Sequence, residues 1–281
     1  MRFHPVFWRT IRSIVSVTFS LAIVASVGLA ADPVKPIKAL LVLGGCCHDY
    51  VGQQEALSKG ITARAHVEIT IAYDSDKTTS HLNPVYEKAS WADGFDVIIH
   101  DECTSDVKDL ALINRILEPH RKGLPAVVLH CGMHSYRSEG YPDKVTPWFE
   151  FTGLQSTGHG PQAPIEIRYT ADGNSIAKDL PPWTTINEEL YNNSTGKLLS
   201  SASEIARGKQ SYKTKKGDEV KEVTQDFAVV WTNNYRDTTR VFATTLGHNT
   251  ATVADDRYLD LVTRGLLWSC KKLEPAYLKT K

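Results

Sequence analysis

Short apolar runs and segments of helical spacing take turns along the first half of the chain. Lys38–Leu43 is apolar after its lysine and runs into Gly44-Gly45, the pattern of a buried strand stopped by a turn. Gln53–Ala63 has helix-forming composition, and His66–Tyr73 alternates through Val67, Ile69 and Ile71 like a second strand. Phe95–Ile99 predicts a third strand. Asp106–Arg121 places Leu110, Ile113, Ile116 and Leu117 at helical intervals, and Ala126–Leu129 predicts a fourth strand. Strands separated by helices need crossover connections, so the expected fold class is α/β with a mostly parallel central sheet. Unbroken apolar strands fit a sheet covered on both faces.

The second half is less regular. Ile165–Tyr169 alternates like a half-exposed strand, and Phe227–Trp231 with Arg240–Thr244 predicts a strand pair turned by Asn233–Asp237. Asp256–Cys270 carries Leu259, Val262, Leu266 and Leu267 on one stripe and predicts a closing helix. Arg207–Lys221 is charged and lacks large aliphatic residues until Val220, so a solvated surface loop is expected there.

Composition excludes whole function classes. Hydrophobic residues at 42% and charged residues at 23% are ordinary for a globular chain and rule out bulk disorder. Lys+Arg and Asp+Glu stand at 32 each, which argues against nucleic acid as a partner. The N-terminus departs from the rest. Arg2, Arg9 and Arg12 precede an apolar run, Ile14–Leu29, that is diluted by hydroxyls and ends in small residues. This predicts a cleaved signal peptide over residues 1–30, a single domain over 31–281, and a periplasmic or secreted product with no membrane association after cleavage. Its loss removes three arginines and no acid, taking the formal net charge from zero to −3. All five cysteines (Cys46, Cys47, Cys103, Cys131, Cys270) lie in the remaining part; an odd number leaves at least one unpaired or in a mixed pair.

The histidines carry the chemistry. His4 belongs to the expected signal peptide, and His66, His81 and His120 sit in surface-type contexts. His48, His100, His130 with His134, and His248 follow inferred strand ends, and His159 lies between two glycines. In an open parallel α/β sheet, ligands bind outside the carboxyl ends of the strands. Imidazoles from separate segments are therefore expected to meet at one sheet edge. Imidazole serves as acid, base or ligand to a divalent metal such as zinc. A carboxylate would complete such a site. Glu188-Glu189-Leu190-Tyr191 offers one, since Glu189 and Tyr191 share a face of an extended segment; Glu188-Glu189 otherwise suits a solvated acidic pair.

These pieces resemble the ThuA-like (trehalose-utilisation) family of the class I glutamine amidotransferase-like superfamily. The matching residues are Leu43-Gly44-Gly45 with His48-Asp49-Tyr50, Phe95–Ile99, Val128–Gly132, Glu188–Tyr191, Thr245–His248 and Gly265–Trp268. The resemblance runs from about Ile37 to Cys270. It implies one flavodoxin-like three-layer α/β domain and a role in carbohydrate, particularly disaccharide, metabolism. Many relatives carry His-Pro-Ile where this chain has Asn174-Ser175-Ile176. The superfamily also places a nucleophilic cysteine at a strand-to-helix elbow, near where Cys131 falls, although the preceding glycine is here His130.

Three functions compete. The first is an exported enzyme, a lyase, isomerase or hydrolase, acting on a sugar or keto-sugar. It would use His48, His130, His134, Glu189 and His248 as acid–base groups, with His134, Glu189 and His248 as metal candidates and Asp49, Tyr50, Tyr136 and Tyr191 toward substrate. The second is a non-catalytic carbohydrate binder using Trp91, Trp148, Trp183 and Tyr136 as stacking surfaces. The third is a hydrolase or amidotransferase built on Cys131.

Overall fold

The computed structural model describes residues 1–4, 34–170 and 175–279. The expected signal peptide lies, past His4, outside the described residues, as does Asn174. Among the described residues no helix is long and apolar enough to cross a membrane.

The elements follow in the order β1 (Ile37–Gly45), α1 (Tyr50–Arg64), β2 (Val67–Asp74), β3 (Val97–Cys103), α2 (Leu110–Arg121), β4 (Ala126–Leu129), α3 (Pro147–Thr152), β5 (Ala163–Tyr169), β6 (Trp183–Glu188), β7 (Ala202–Lys216), β8 (Glu219–Tyr235), β9 (Thr239–Thr244), α4 (Thr250–Val253) and α5 (Asp256–Ser269). All nine strands join one sheet in the order β2-β1-β3-β4-β9-β8-β7-β5-β6. The first five are parallel and have the 2-1-3-4-5 arrangement of flavodoxin-type folds. The remaining pairs are antiparallel. The expectation of a mostly parallel sheet is thus corrected: the sheet is mixed. Its second half is built from hairpins, which need no crossover helix.

Helices cover both faces of the parallel half, and the strand residues alternate between them. Leu41, Ile99, Val127 and Phe242 pack with Leu57 of α1 and Leu261 and Leu266 of α5. Leu40, Val42, Ile98 and Val128 pack with Ile113, Ile116 and Leu117 of α2 and with Trp148 and Phe151 of α3. This period of two explains the continuous apolar runs Ala39–Leu43, Val97–Ile99 and Ala126–Leu129 in these strands. The aromatics considered for sugar stacking belong to these cores: Trp91, Trp148, Trp183 and Tyr136 are all buried, and the Tyr136 hydroxyl donates to Glu102 Oε1 at 3.1 Å.

Arg207–Lys221 corrects the expectation of a loop. It forms most of β7 and the start of β8, a hairpin whose ladder closes at Lys216↔Glu219 around Gly217-Asp218. Gly217 has φ +63°, a backbone setting that suits the first central position of a two-residue hairpin turn. The polar composition remains consistent with exposure, because the ladder satisfies the backbone without any core. His81 and His120, expected at the surface, are buried. His120 sits on the inner face of α2 and donates from Nδ1 to the Leu124 carbonyl at 2.8 Å.

Candidate functional site

Each strand of the switch region delivers a side chain at its carboxyl end. β1 ends in Gly45, whose partner across the parallel ladder is Cys103 at the end of β3. Gly45 has φ +95°, and a Cβ there would stand 2.2 Å from the Cys103 carbonyl oxygen. Only glycine lets the chain turn this closely and lead through Cys46-Cys47 to His48. Asp49 caps α1, accepting from Gly52 N at 3.0 Å, while its other oxygen accepts from Thr250 Oγ1 at 3.2 Å. Asp49 therefore anchors the loop that carries His48.

His130 opens a 3₁₀ turn, His130–His134, directly after β4. Its Nδ1 donates to the Thr245 carbonyl at 2.7 Å, which fixes the ring and turns Nε2 toward Tyr191 and Glu189. There Nε2 lies 3.1 Å from the Tyr191 hydroxyl and 3.6 Å from Glu189 Oε2. His48 Nε2 stands 3.1 Å from His248 Nδ1, and His48 Nδ1 is 3.3 Å from the Tyr50 hydroxyl. His248 Nδ1 is also 3.2 Å from Glu189 Oε1, and its Nε2 accepts from the Gln162 amide at 2.8 Å.

Glu189 ties the cluster together. Its Oε2 also meets His159 Nε2 at 3.4 Å. Burial works to raise its carboxyl, but hydrogen bonds from His130 and His248 and the charge of His159 outweigh it and hold the group well below the usual carboxylate range. His48 is pushed down to about 3 by burial and by the neighbouring His130 and His248. His248 moves up, because its hydrogen bond to Glu189 favours the imidazolium.

Glu188 and Glu189 are both buried, which corrects the view of them as a solvated pair. Leu190 between Glu189 and Tyr191 enters the core, so those two do share a face. Glu188 points the other way and accepts from the backbone amides of His248 at 3.0 Å and Asn249 at 2.9 Å. It holds the loop that presents His248.

One ring nitrogen each from His48, His130 and His248 and one oxygen of Glu189 lie within 4.8 Å of one another. Three imidazoles and a carboxylate form a donor set suited to zinc or a similar divalent ion. His134, expected among the ligands, does not join this group. Its Nε2 is 2.8 Å from Ser156 Oγ and its ring stacks on Tyr191 at 4.0 Å, so it backs the tyrosine. Burial and then Arg137 push the His134 imidazole well below its ordinary value. His100 lies on the α2 face with His120 and Glu102, away from the cluster.

His48, Glu189 and His248 of the cluster line a cavity of about 220 Å³ that also touches Arg137, His134 and His159, while His130 is buried beside them. A second cavity of about 380 Å³, which Asp49, Tyr50 and Tyr73 help to line, shares Cys47 and His48 with it. Arg137 has a buried Nε without a hydrogen-bond partner and was not singled out from sequence; its place three residues after His134 is the one signal that marks it. Cys131 is disulfide-bonded to Cys103, and no hydrogen bond joins it to a histidine among the described residues.

No curated protein matches the chain. Solved structures that share its fold include two ThuA-like proteins. A ThuA-like protein from Parabacteroides merdae has a TM-score of 0.59 at 18% identity, covering 88% of this chain and 93% of its own. A ThuA-like protein from Bacteroides uniformis has a TM-score of 0.59 at 17% identity, covering 86% and 95%. The sequence profile described as ThuA, trehalose utilisation, matches residues 38–269, and with so much of its length matched the chain belongs to the ThuA family.

Proposed function

We propose that this chain is an exported carbohydrate-utilisation enzyme that processes a sugar or keto-sugar by acid–base chemistry at the His48–His130–Glu189–His248 cluster. The observation that carries the reading is the convergence of three imidazoles and one carboxylate within 4.8 Å, reached from three separate strand ends and the segment after β6. Membership of a trehalose-utilisation family supports a carbohydrate as substrate. Export rests on the arginine-flanked apolar run of residues 1–30.

The residues divide the work by geometry. His48, beside Tyr50, presents a ring nitrogen to the cavity as base or ligand, and His130, oriented by the Thr245 carbonyl, backs Glu189 from the buried side. Glu189 and His248 form a hydrogen-bonded pair able to hold a proton and return it. Arg137, with donors to spare, faces oxygen that gains negative charge. His48, His130, Glu189 and His248 are the residues that would hold a divalent metal, which when bound supplies Lewis-acid polarisation of a carbonyl or hydroxyl oxygen. Removal of a proton beside a carbonyl, leading to elimination or isomerisation, is the chemistry these groups suit.

The test is incubation of purified protein with disaccharides and their keto derivatives, with and without chelator, reading products by mass and metal content by elemental analysis. Turnover that His130→Ala and Glu189→Gln abolish is the expected result. Sugar binding with no turnover, unaffected by His130→Ala, would overturn the enzymatic reading in favour of a carbohydrate-binding protein.

A further inference from the structure

Four of the five cysteines gather at the same sheet edge as the histidines. Cys46 and Cys47 follow β1 and are disulfide-bonded to each other; Cys103 ends β3 and is bonded to Cys131, just after β4. The two pairs touch: Cys46 Sγ is 3.5 Å from Cys103 Sγ. They are also graded in exposure. Cys47 is open to solvent, Cys46 is half-buried, and Cys103 and Cys131 are buried at 5% and 6%. All four line the cavity that holds Glu189 and His248. Cys270 stands apart, near Asp96 and Pro125 at the opposite edge of the sheet, where burial pushes its thiol up to about 12.

A solvent-exposed disulfide in sulfur contact with a buried one is an arrangement for exchange. We propose that Cys46–Cys47 is a redox relay, through which an external dithiol reduces the buried Cys103–Cys131 pair and frees thiols in the wall of the histidine cavity. The external dithiol attacks Cys47 Sγ and expels Cys46 as thiolate. Its second thiol then closes on the first, leaves as a disulfide, and releases Cys47. The Cys46 thiolate attacks Cys103 Sγ, and the Cys103–Cys131 bond breaks with its electron pair on Cys131. Cys47 then attacks Cys46, which restores the vicinal pair and expels Cys103. The two protons of the dithiol end on Cys103 and Cys131. In sum one dithiol is oxidised, the buried disulfide is reduced, and the vicinal pair is unchanged.

Removing the resolving sulfur should trap the relay midway. In Cys47→Ser, Cys46 has no vicinal partner and only Cys103 within reach. Peptide mapping of the oxidised full chain, alkylated without reductant, should yield a Cys46–Cys103 linked peptide and an alkylated Cys131. An intact Cys103–Cys131 link beside a free Cys46 in Cys47→Ser overturns the proposal. A kinetic comparison does not depend on the single variant folding. With limiting dithiothreitol, Cys131 in the wild-type chain should become alkylatable roughly tenfold faster than in Cys46→Ser/Cys47→Ser of unchanged circular dichroism. Equal rates overturn the relay as well.

Discussion

Glu188 tests whether the site depends on a buried carboxylate that never faces the cavity. Its two oxygens accept from the backbone amides of His248 and Asn249 at 3.0 and 2.9 Å, and the side chain is fully buried. Glu188→Gln keeps size and shape but leaves one acceptor, with an amide NH₂ turned toward the other N–H. One buried N–H then loses its partner at a cost of about 1–3 kcal/mol, and the surviving bond weakens by about 1 kcal/mol as it loses its charge. Relief from desolvating a carboxylate offsets part of this, leaving roughly 2 kcal/mol of lost stability. The loop that carries His248 loosens, and affinity for zinc should fall about 10- to 100-fold. Urea unfolding and a competitive zinc titration measure the two effects. Glu189→Gln is the contrast: it removes a candidate ligand atom, so metal affinity should fall further while stability changes less. A Glu188→Gln protein within about 0.5 kcal/mol of wild type, with zinc affinity unchanged, would refute the argument.

Acid should destabilise the fold partly through His120, which burial and then His100 push down to about 3 from 6.5. The folded value lies below the unfolded one, so this contribution is complete above pH 6.5 and is lost as pH falls toward 3. Between pH 7 and 4.5 it amounts to about 2–3 kcal/mol, and His120→Phe should show a correspondingly flatter pH dependence in urea unfolding; parallel curves would count against it. Gly45→Ala should cost more than about 2 kcal/mol, because the added Cβ meets a backbone oxygen at positive φ; a melting temperature equal to wild type contradicts that. Arg137→Ala should leave unfolding nearly unchanged while lowering turnover of any substrate found by at least about tenfold, and retained turnover removes Arg137 from the chemistry.

The parallel half of the fold was legible in the chain because burial on both faces leaves an unmistakable mark. β1, the first half of β3 and β4 carry continuous apolar runs, and α2 and α5 show their inward stripes. The antiparallel half was legible where it enters the core, in β5, the inner part of β8 and β9, and hid where it does not. Beyond Gln210 the outer parts of β7 and β8 pair with each other in solvent, so they need no apolar pattern, and a ladder of backbone hydrogen bonds writes nothing into composition. β6 escaped likewise, since Thr184, Ile186 and Asn187 are exposed and only Trp183, Thr185 and Glu188 turn inward.

The site was legible in its location and less so in its membership, and the difference has a physical origin. That histidines follow strand ends is a statement about topology, which spacing reveals. Which ring nitrogen joins the Glu189 cluster depends on single hydrogen bonds. The Thr245 carbonyl turns His130 inward, while Ser156 holds His134 behind Tyr191. His130 and His134 are four residues apart, at opposite ends of one 3₁₀ turn, and no periodicity separates their roles. Glu188 and Glu189 were hidden by a second effect: adjacent acids at a strand end look solvated, but alternation sends one to the imidazoles and the other to the backbone beneath them. The same two-residue logic operates at Cys46-Cys47, where one sulfur touches Cys103 and the other stands in solvent. At this sheet edge, neighbours in sequence divide between holding the pocket in place and forming its surface, and the close turn at Gly45 is what sets β1's contribution against β3's.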